Sequence, residues 1–203
     1  YGGLDHVLAS GRNIKIMVLD TEVYSNTGGQ MSKSTPRGAV AKFAAGGKPL
    51  AKKDLGLIAM SYGNIYTAKI SLGANPAQAV KAIAEAEAYD GPALILCYSH
   101  CIAHGIDMSK GLEEQKKAVN AGHWQLFRFN PALLAEGKNP LQLDSKEPSI
   151  TMEEFTKNEN RWRSLQKAHP EAAKAFLDQS QKDAKFNHNL YKSLSEIRVE
   201  KPE

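Results

Sequence analysis

The stretch from residue 19 to residue 30, Leu-Asp-Thr-Glu-Val-Tyr-Ser-Asn-Thr-Gly-Gly-Gln, holds the side chains best suited to chemistry. It follows an apolar run at residues 14–19 that is typical of a buried strand, and ligands of α/β sheets bind where strands end. The Thr21 hydroxyl and the peptide carbonyls are oxygen ligands for a hard cation, and free N–H groups and the Asn26 amide can hold a phosphate. This loop therefore predicts a site for a magnesium–diphosphate headgroup.

A second candidate site is the segment of residues 98–106, Tyr-Ser-His-Cys-Ile-Ala-His-Gly-Ile, which follows another apolar run. Cys97, His100, Cys101 and His104 are close enough in sequence to suggest zinc, but structural zinc sites usually join two separated ligand pairs, so zinc is not favoured. On a strand the two cysteines would lie about 13 Å apart, too far for a disulfide. Reduced thiols in a cytosol-like compartment are the simpler interpretation. The other histidines are expected in surface or capping roles: His6, His123, His169 and His188.

The elements that must position these loops follow a βαβ rhythm. Helices are predicted at residues 4–10 and 111–121, and a third begins at Asn75 and Pro76, which are a favourable N-cap and first helical residue. The rhythm predicts an α/β fold, a mostly parallel sheet with helices on both faces. Residues 21–38 are expected to form a long loop between such elements. Strands or shorter apolar segments are predicted at residues 13–20, 54–60, 65–72, 93–98 and 124–129.

The character of the chain changes towards its C-terminus. Residues 136–150 are polar and are predicted to form a linker, whereas residues 151–195 are predicted to form a helical tail, split by Pro170, that wraps another surface. We therefore divide the chain into a first domain, residues 1–135, and a linker with a helical tail, residues 136–203. The first residues resemble the inside of a helix and not a signal peptide, so we expect a fragment of a longer protein.

Composition excludes several classes of function. The chain has 203 residues, 42% of them hydrophobic, and a net charge of +4 from 26 basic and 22 acidic residues. It has no cluster of basic and aromatic residues of the kind that binds nucleic acid. No apolar run approaches the roughly 20 residues that a membrane span needs. Residues 33–53 are markedly basic. A solvated loop face is the favoured interpretation of that segment, and a docking surface for an acidic partner such as a ferredoxin is the alternative.

The two motifs together resemble those of the pyruvate:ferredoxin (flavodoxin) oxidoreductase family. Residues 20–30, followed by Lys-Ser-Thr-Pro at 33–36, and residues 98–106 look like the thiamine-diphosphate-binding domain near the C-terminus of those proteins, in the same order. The resemblance covers essentially all of the chain. It implies that residues 1–135 are that domain, truncated at its N-terminus. The tail resembles the family at Arg161, around Leu165 and at residues 169–171.

The resemblance implies which residues bind cofactors. Mg²⁺ would be held by the Thr21 hydroxyl and the Val23 carbonyl, and by an acidic ligand from a Gly-Asp-Gly motif that this sequence does not contain. Cys101 would be the last of four cysteine ligands of a [4Fe–4S] cluster, and Cys97 a small buried apolar residue. Asn26 would be the active-site residue, in contact with thiamine diphosphate or substrate. The other cofactor-binding residues implied are Glu22, Tyr24 and Ser25.

Two of these residues also have structural interpretations. The Asn26 amide can cap an Asx turn in which Gly28 and Gly29 adopt positive φ, and this role is compatible with ligand contact. Glu22 has the chemistry of an acid–base residue. In the enzyme class that the sequence resembles, however, the activating glutamate comes from a separate pyrimidine-binding domain, so Glu22 is interpreted as structural.

The resemblance also implies an activity. The intact enzyme would oxidatively decarboxylate pyruvate with coenzyme A to acetyl-CoA and CO₂, and pass electrons through [4Fe–4S] clusters to ferredoxin or flavodoxin. This chain alone is expected to be inert without the rest of the same enzyme, which is expected to be a homodimer in the cytoplasm or an equivalent anaerobic organelle. The alternatives are another 2-oxoacid:ferredoxin oxidoreductase and a non-catalytic assembly module that keeps the fold.

Overall fold

The computed structural model describes residues 2–201. No helix within that range is both long and apolar enough to cross a bilayer. The strands are β1 (Lys15–Asp20), β2 (Val23–Tyr24), β3 (Gln30–Met31), β4 (Tyr66–Ile70), β5 (Ala93–Tyr98), β6 (Phe127–Phe129) and β7 (Leu141–Leu143). The helices are α1 (Gly2–Ala9), α2 (Leu55–Met60), α3 (Pro76–Ala88), α4 (Gly111–Asn120), α5 (Met152–Thr156), α6 (Asn160–Ala168) and α7 (Pro170–Ser195).

A five-stranded sheet with the order β1-β5-β4-β6-β7 forms the centre of the fold. Strand β5 lies between β1 and β4 and is parallel to both, with Ala93 opposite Lys15 on one side and Tyr66 on the other. Strand β6 runs antiparallel to β4 and to β7. The predicted α/β fold with a mostly parallel sheet is confirmed, although β6 occupies only the second half of the strand predicted at residues 124–129.

Side chains of β5 alternate between two hydrophobic layers, as strand geometry requires. Leu94 and Leu96 face a core centred on Trp124, to which α1, α4, α5 and α7 contribute. Ala93 and Ile95 face the opposite way, onto the buried alanines of α3. Helices therefore cover both faces of the sheet, as predicted.

Two predictions of secondary structure are wrong. Residues 54–60, predicted as a strand, form helix α2, because the Asp54 carboxylate accepts hydrogen bonds from the N–H groups of Gly56 at 3.0 Å and Leu57 at 3.1 Å and so caps it. A short apolar run does not by itself distinguish a buried strand from a buried helix. Residues 136–150, predicted as a linker, contain β7, the edge strand of the sheet.

The helical tail packs back onto the sheet. Pro170 begins α7 and separates it from α6, as the sequence predicts. Tyr191 of α7 stacks on Phe127 of β6 with ring centroids 4.8 Å apart, and its hydroxyl donates to Asp54 at 2.7 Å. The tail is therefore anchored on the same sheet that carries the loops, and the division of the chain at residue 135 stays a prediction.

Leu94→Ala should lower the free energy of unfolding by about 2–5 kcal/mol, because Leu94 is fully buried on the interior strand β5 and its loss leaves a cavity. Urea denaturation measures the change. The control is Leu72→Ala, at a position that is 59% exposed, where the expected change is within about 0.5 kcal/mol. Similar losses for the two variants would contradict the assignment of the core.

Candidate functional site

The two predicted cofactor loops lie side by side at one edge of the sheet. They follow β1 and β5, which are adjacent and parallel, and the Ser99 N–H donates to the Asp20 carbonyl at 3.1 Å. Farther out, a Cβ atom added at Gly29 would lie 3.4 Å from the Ala103 side chain, so the loops also approach each other there. We call the two segments the β1 loop, residues 20–31, and the β5 loop, residues 99–105.

The β1 loop brings three oxygen atoms together. Thr21 Oγ1 lies 3.0 Å from the Val23 carbonyl oxygen and 3.2 Å from Ser25 Oγ. Two neighbouring ligands of an octahedral Mg²⁺, with bonds of roughly 2.0–2.1 Å, would be about 3 Å apart, which is the spacing between Thr21 and Val23. Within residues 2–201 no group of three or more His, Cys, Asp or Glu side chains could hold a metal by itself. A metal at this loop would therefore need further oxygen ligands.

Asp20 is directed away from this oxygen cluster. Its carboxylate accepts hydrogen bonds from the Glu22 N–H at 3.0 Å and from the Ser34 hydroxyl at 2.6 Å. It also forms an ion pair with the Lys52 ammonium at 2.7 Å. Asp20 thus ties the beginning of the β1 loop to the segment that follows it.

The outer part of the β1 loop is an exposed turn. Tyr24 lies in a short antiparallel ladder between β2 and β3, and residues Ser25–Thr27 form a 3₁₀ turn between these strands. Gly28 and Gly29 have φ angles of 120° and 82°, the positive values that the sequence predicted. Tyr24 and Asn26 are both exposed at this edge of the sheet, where either side chain can meet a ligand.

Glu22 lies between Thr21 and Val23 in sequence, but its side chain points into the protein and is 1% exposed. Its carboxylate lies 2.7 Å from Arg161 Nη2, 2.9 Å from His123 Nε2 and 3.4 Å from Lys52 Nζ. Burial alone would raise the pKa of Glu22, but the charges of these partners outweigh burial and hold the pKa well below its usual range. Glu22 is thus a fixed buried anion, in agreement with its interpretation as structural.

A second buried carboxylate, Glu159, shares Arg161 with Glu22. Arg161 Nε lies 2.6 Å from Glu159 Oε2. Glu159 Oε1 and both ring nitrogens of the neighbouring His100 have no hydrogen-bond partner within residues 2–201. Burial raises the pKa of Glu159 to about 7, against the opposing effect of Arg161. We call the following five side chains the buried charge network: Glu22, Lys52, His123, Glu159 and Arg161.

Glu159→Gln should remove a pH dependence of stability. The pKa of Glu159 is about 7 in the folded protein and near the ordinary value of 4.5 in the unfolded chain. Its contribution to stability is therefore fully present below the unfolded pKa and is lost as the pH rises through the folded pKa. Relative to Glu159→Gln, the unsubstituted protein should lose stability between about pH 4.5 and about pH 7.5, and urea denaturation across this range measures the difference.

The histidines of the site do not obscure this measurement. Burial lowers the pKa of His100 to about 4, so His100 contributes a trend of the opposite sign, but it is present in both proteins. The control is Glu171→Gln, at an exposed position at the start of α7, which is expected to follow the unsubstituted protein at each pH. A stability difference for Glu159→Gln that is constant with pH would contradict the prediction.

The basic segment, residues 33–53, sends three of its cations inward. Lys48 is 6% exposed, and its ammonium donates to backbone carbonyls of the same segment. Lys52 belongs to the buried charge network, and Arg37 pairs with Asp183 of α7 at 2.9 Å. For these three residues both sequence interpretations, a solvated face and a docking surface, are wrong. Arg37 joins the segment to the tail, Lys52 joins it to the β1 loop, and Lys48 pairs within the segment itself.

Cys101 begins the turn of the β5 loop. Its N–H donates to His104 Nδ1 at 3.1 Å, and its Sγ lies 3.5 Å from the same nitrogen. Cys101 is half-buried, and the next residue, Ile102, is 88% exposed. The turn ends at Gly105, where an added Cβ atom would come within 2.5 Å of the Asn160 side chain of α6. The tail therefore contacts the cysteine-bearing loop directly.

The four residues considered for zinc, Cys97, His100, Cys101 and His104, have other contacts in the structure. Cys97 is partly buried against the α3 core, and burial raises the pKa of its thiol to about 11. His100 and His104 pack against Tyr98, with ring centroids 5.0 and 6.4 Å from the tyrosine ring. Both histidines also lie beside the buried carboxylates, with His104 Nε2 3.7 Å from Glu22 and His100 Nε2 3.9 Å from Glu159.

The sequence prediction was wrong for two other histidines. His123 and His188 were expected at the surface or in caps, but His188 is 4% exposed and the side chain of His123 is 6% exposed. The partner of His123 is Glu22, 101 positions away in the chain, so no local pattern could indicate the pair. The neighbouring Trp124, the first residue of the strand predicted at residues 124–129, is fully buried and is a local sign that this stretch lies inside.

Comparison with known proteins shows which proteins this chain is similar to. Residues 2–97 match the family model described as thiamine pyrophosphate enzyme, C-terminal TPP binding domain. The chain is 59% identical over 98% of its length to a pyruvate-flavodoxin oxidoreductase of Trichormus variabilis, and 56% identical over 97% to a pyruvate:ferredoxin oxidoreductase of Moorella thermoacetica. A solved 2-oxoglutarate:ferredoxin oxidoreductase from Magnetococcus marinus is 24% identical, with a TM-score of 0.46 over 50% of this chain and 35% of that chain.

Residues 2–97 thus match a thiamine pyrophosphate-binding domain of the C-terminal type. Over nearly its whole length the chain is similar, at 59% and 56% identity, to the C-terminal region of pyruvate:flavodoxin and pyruvate:ferredoxin oxidoreductases, which confirms the resemblance drawn from the motifs. The chain spans 17% of the length of each of these two relatives.

Proposed function

We propose that this chain holds the diphosphate end of thiamine diphosphate, and one ligand of an iron–sulfur cluster, in a pyruvate:ferredoxin or pyruvate:flavodoxin oxidoreductase. The observation that carries the proposal is the contact between the β1 loop and the β5 loop at one edge of the sheet. A cofactor on the first loop and an electron acceptor on the second would be neighbours. The identity with oxidoreductases of pyruvate supports the choice of chemistry.

The reaction proposed for the whole enzyme is the oxidative decarboxylation of pyruvate with coenzyme A to acetyl-CoA and CO₂. Electrons would leave through [4Fe–4S] clusters to ferredoxin or flavodoxin. Bound thiamine diphosphate supplies the carbanion chemistry, and the protein supplies binding, orientation and electrostatics. We propose that residues of this chain bind and orient the cofactor, and supply the electrostatics, at the edge of the sheet.

The residues of the β1 loop fit a magnesium–diphosphate group. The Thr21 hydroxyl and the Val23 carbonyl have the spacing of two neighbouring Mg²⁺ ligands, and we propose that both hold the metal. The exposed Asn26 amide would donate to the diphosphate or to the pyruvate carboxylate. Tyr24 and Ser25 would line the same site, and a carboxylate ligand would come from outside this chain.

The β5 loop fits a supporting role at a cluster. A [4Fe–4S] cluster is held by four cysteine thiolates, and Cys101 lies in a turn with an exposed neighbour, beside the β1 loop. We propose that Cys101 is one ligand and that the remaining three belong to the rest of the enzyme. On this proposal the isolated chain is inert.

Thr21→Ala in the full-length enzyme should weaken the binding of magnesium–thiamine diphosphate by roughly tenfold or more, because even residues that only support metal ligands contribute about 10–100-fold to metal affinity. Calorimetric titration of cofactor-free enzyme measures the dissociation constant. The matched control is Thr27→Ala in the same loop, whose hydroxyl contacts Gln30 and not Val23. Equal affinities for the two variants would contradict the assignment of Thr21.

Cys101→Ser in the full-length enzyme should remove or destabilise one [4Fe–4S] cluster, because a thiolate ligand is lost. Iron content and the electron paramagnetic resonance spectrum of the reduced enzyme measure the loss. Cys97→Ser is the control, since this thiol lies against the α3 core, and it should keep the full iron content. A full set of clusters in Cys101→Ser would refute the proposed ligand.

Substrate range and assembly are further proposals. We propose pyruvate as the substrate, ahead of other 2-oxoacids, because the relatives are named for it. Competition between 2-oxoacids in kinetic assays of the full-length enzyme tests this choice. We also propose a homodimer in the cytoplasm, or in an equivalent anaerobic organelle, on the strength of the family resemblance. A non-catalytic assembly module would bind neither magnesium–thiamine diphosphate nor iron.

A further inference from the structure

Arg161 links the helical tail to the β1 loop from behind. Its Nη2 lies 2.7 Å from Glu22 and its Nε 2.6 Å from Glu159, and all three side chains are 2% exposed or less. Its backbone carbonyl accepts a hydrogen bond from the Val40 N–H at 2.9 Å, and its guanidinium carbon lies 4.2 Å from the centre of the Trp162 ring. The side chain is therefore held in one orientation, away from the exposed side of the loop.

Glu22, which Arg161 holds, controls the geometry of the oxygen cluster. Glu22 separates Thr21 from Val23, and its φ of 60° is left-handed, a conformation that a non-glycine residue keeps only when its surroundings enforce it. The Glu22 N–H donates to Asp20, and the Thr35 hydroxyl donates to the Glu22 carbonyl. The carboxylate is the third point of attachment, and Arg161 is its nearest partner.

We propose that Arg161 is a positioning residue for the magnesium–diphosphate site. By holding Glu22 in its left-handed conformation, Arg161 keeps the Thr21 hydroxyl and the Val23 carbonyl at the spacing that Mg²⁺ requires, without touching the cofactor. The affinity for magnesium–thiamine diphosphate then depends on a residue of the tail, far in sequence from the loop. This inference rests on the function proposed for the β1 loop.

The chemistry of the site requires arginine at this position. A guanidinium presents several N–H donors in a rigid plane, so two of them can hold two carboxylates at once, whereas a lysine ammonium is a single point at the end of a flexible chain. Arg161→Lys would therefore keep a positive charge near Glu22 and Glu159 but lose the bridge. His123 and Lys52 would still pair with Glu22, so the loop would lose one anchor and not all of them.

The test uses the full-length enzyme, stripped of cofactor and titrated with magnesium–thiamine diphosphate in a calorimeter. Arg161→Lys should raise the dissociation constant by roughly 10–100-fold, the range found for groups that orient metal ligands. In steady-state assays the concentration of thiamine diphosphate for half-maximal activity should rise, and kcat should recover at saturation. A merely structural loss would lower the active fraction without moving the half-maximal concentration. The control is Arg163→Lys, exposed on the same helix, with no expected change.

Each outcome decides the inference. A dissociation constant unchanged in Arg161→Lys but raised in Thr21→Ala would overturn the positioning role and leave the proposed function standing. A constant unchanged in both would overturn the proposed function as well. If Arg161→Lys does not fold, Glu22→Gln keeps the shape of the side chain and leaves Arg161 paired with Glu159. It should weaken binding similarly, and unchanged binding in that variant would overturn the inference.

Discussion

Glu22 keeps a negative charge at a position that is 1% exposed to solvent. An ion removed from water in this way costs on the order of several kcal/mol unless it is paired and hydrogen-bonded. The pairing groups come from distant parts of the chain: Lys52 from the basic segment, His123 from the turn that follows α4, and Arg161 from α6. Glu22 is tolerated only when all these elements are in place, so the β1 loop depends on the folding of the whole chain.

Sheet topology supplies the second constraint. Because β1 and β5 are adjacent and parallel, the loops that follow them must emerge at the same edge. Exposed turns at such an edge would ordinarily be mobile, and the contacts behind them provide the rigidity that a binding site needs. Asp20 fixes the base of the β1 loop, and His104 fixes the backbone of Cys101. Polar groups in the interior thus fix the positions of the atoms proposed to bind the cofactors.

Much of this arrangement could be predicted from local sequence signals. The N-cap at Asn75, which accepts a hydrogen bond from the Gln78 N–H at 3.0 Å, and the strand at residues 93–98 were both indicated by residue type and spacing. So was the positive φ of Gly28 and Gly29. These features depend on a few neighbouring residues, so one sequence suffices to recognise them. The adjacency of β1 and β5, which brings the two loops together, is a finding of the structure.

The parts that were not predicted depend on partners far apart in the sequence. The residue types of Lys48 and His123 do not show which groups they pair with, because those groups come together only in the folded chain. The helix at residues 55–60 was missed for a different reason: its apolar run fits a strand equally well, and the side-chain cap from Asp54 decides between the two.

The close contact between Gly105 and Asn160 has a consequence for recombination among related enzymes. A tail transplanted from one homologue to another would have to bring a small, well-fitting surface against that glycine and an arginine for the two carboxylates. The loops and the tail therefore have to be transferred together. A chimera should be cut before α1 or after α7, because a junction between the sheet and the tail would separate Arg161 from Glu22.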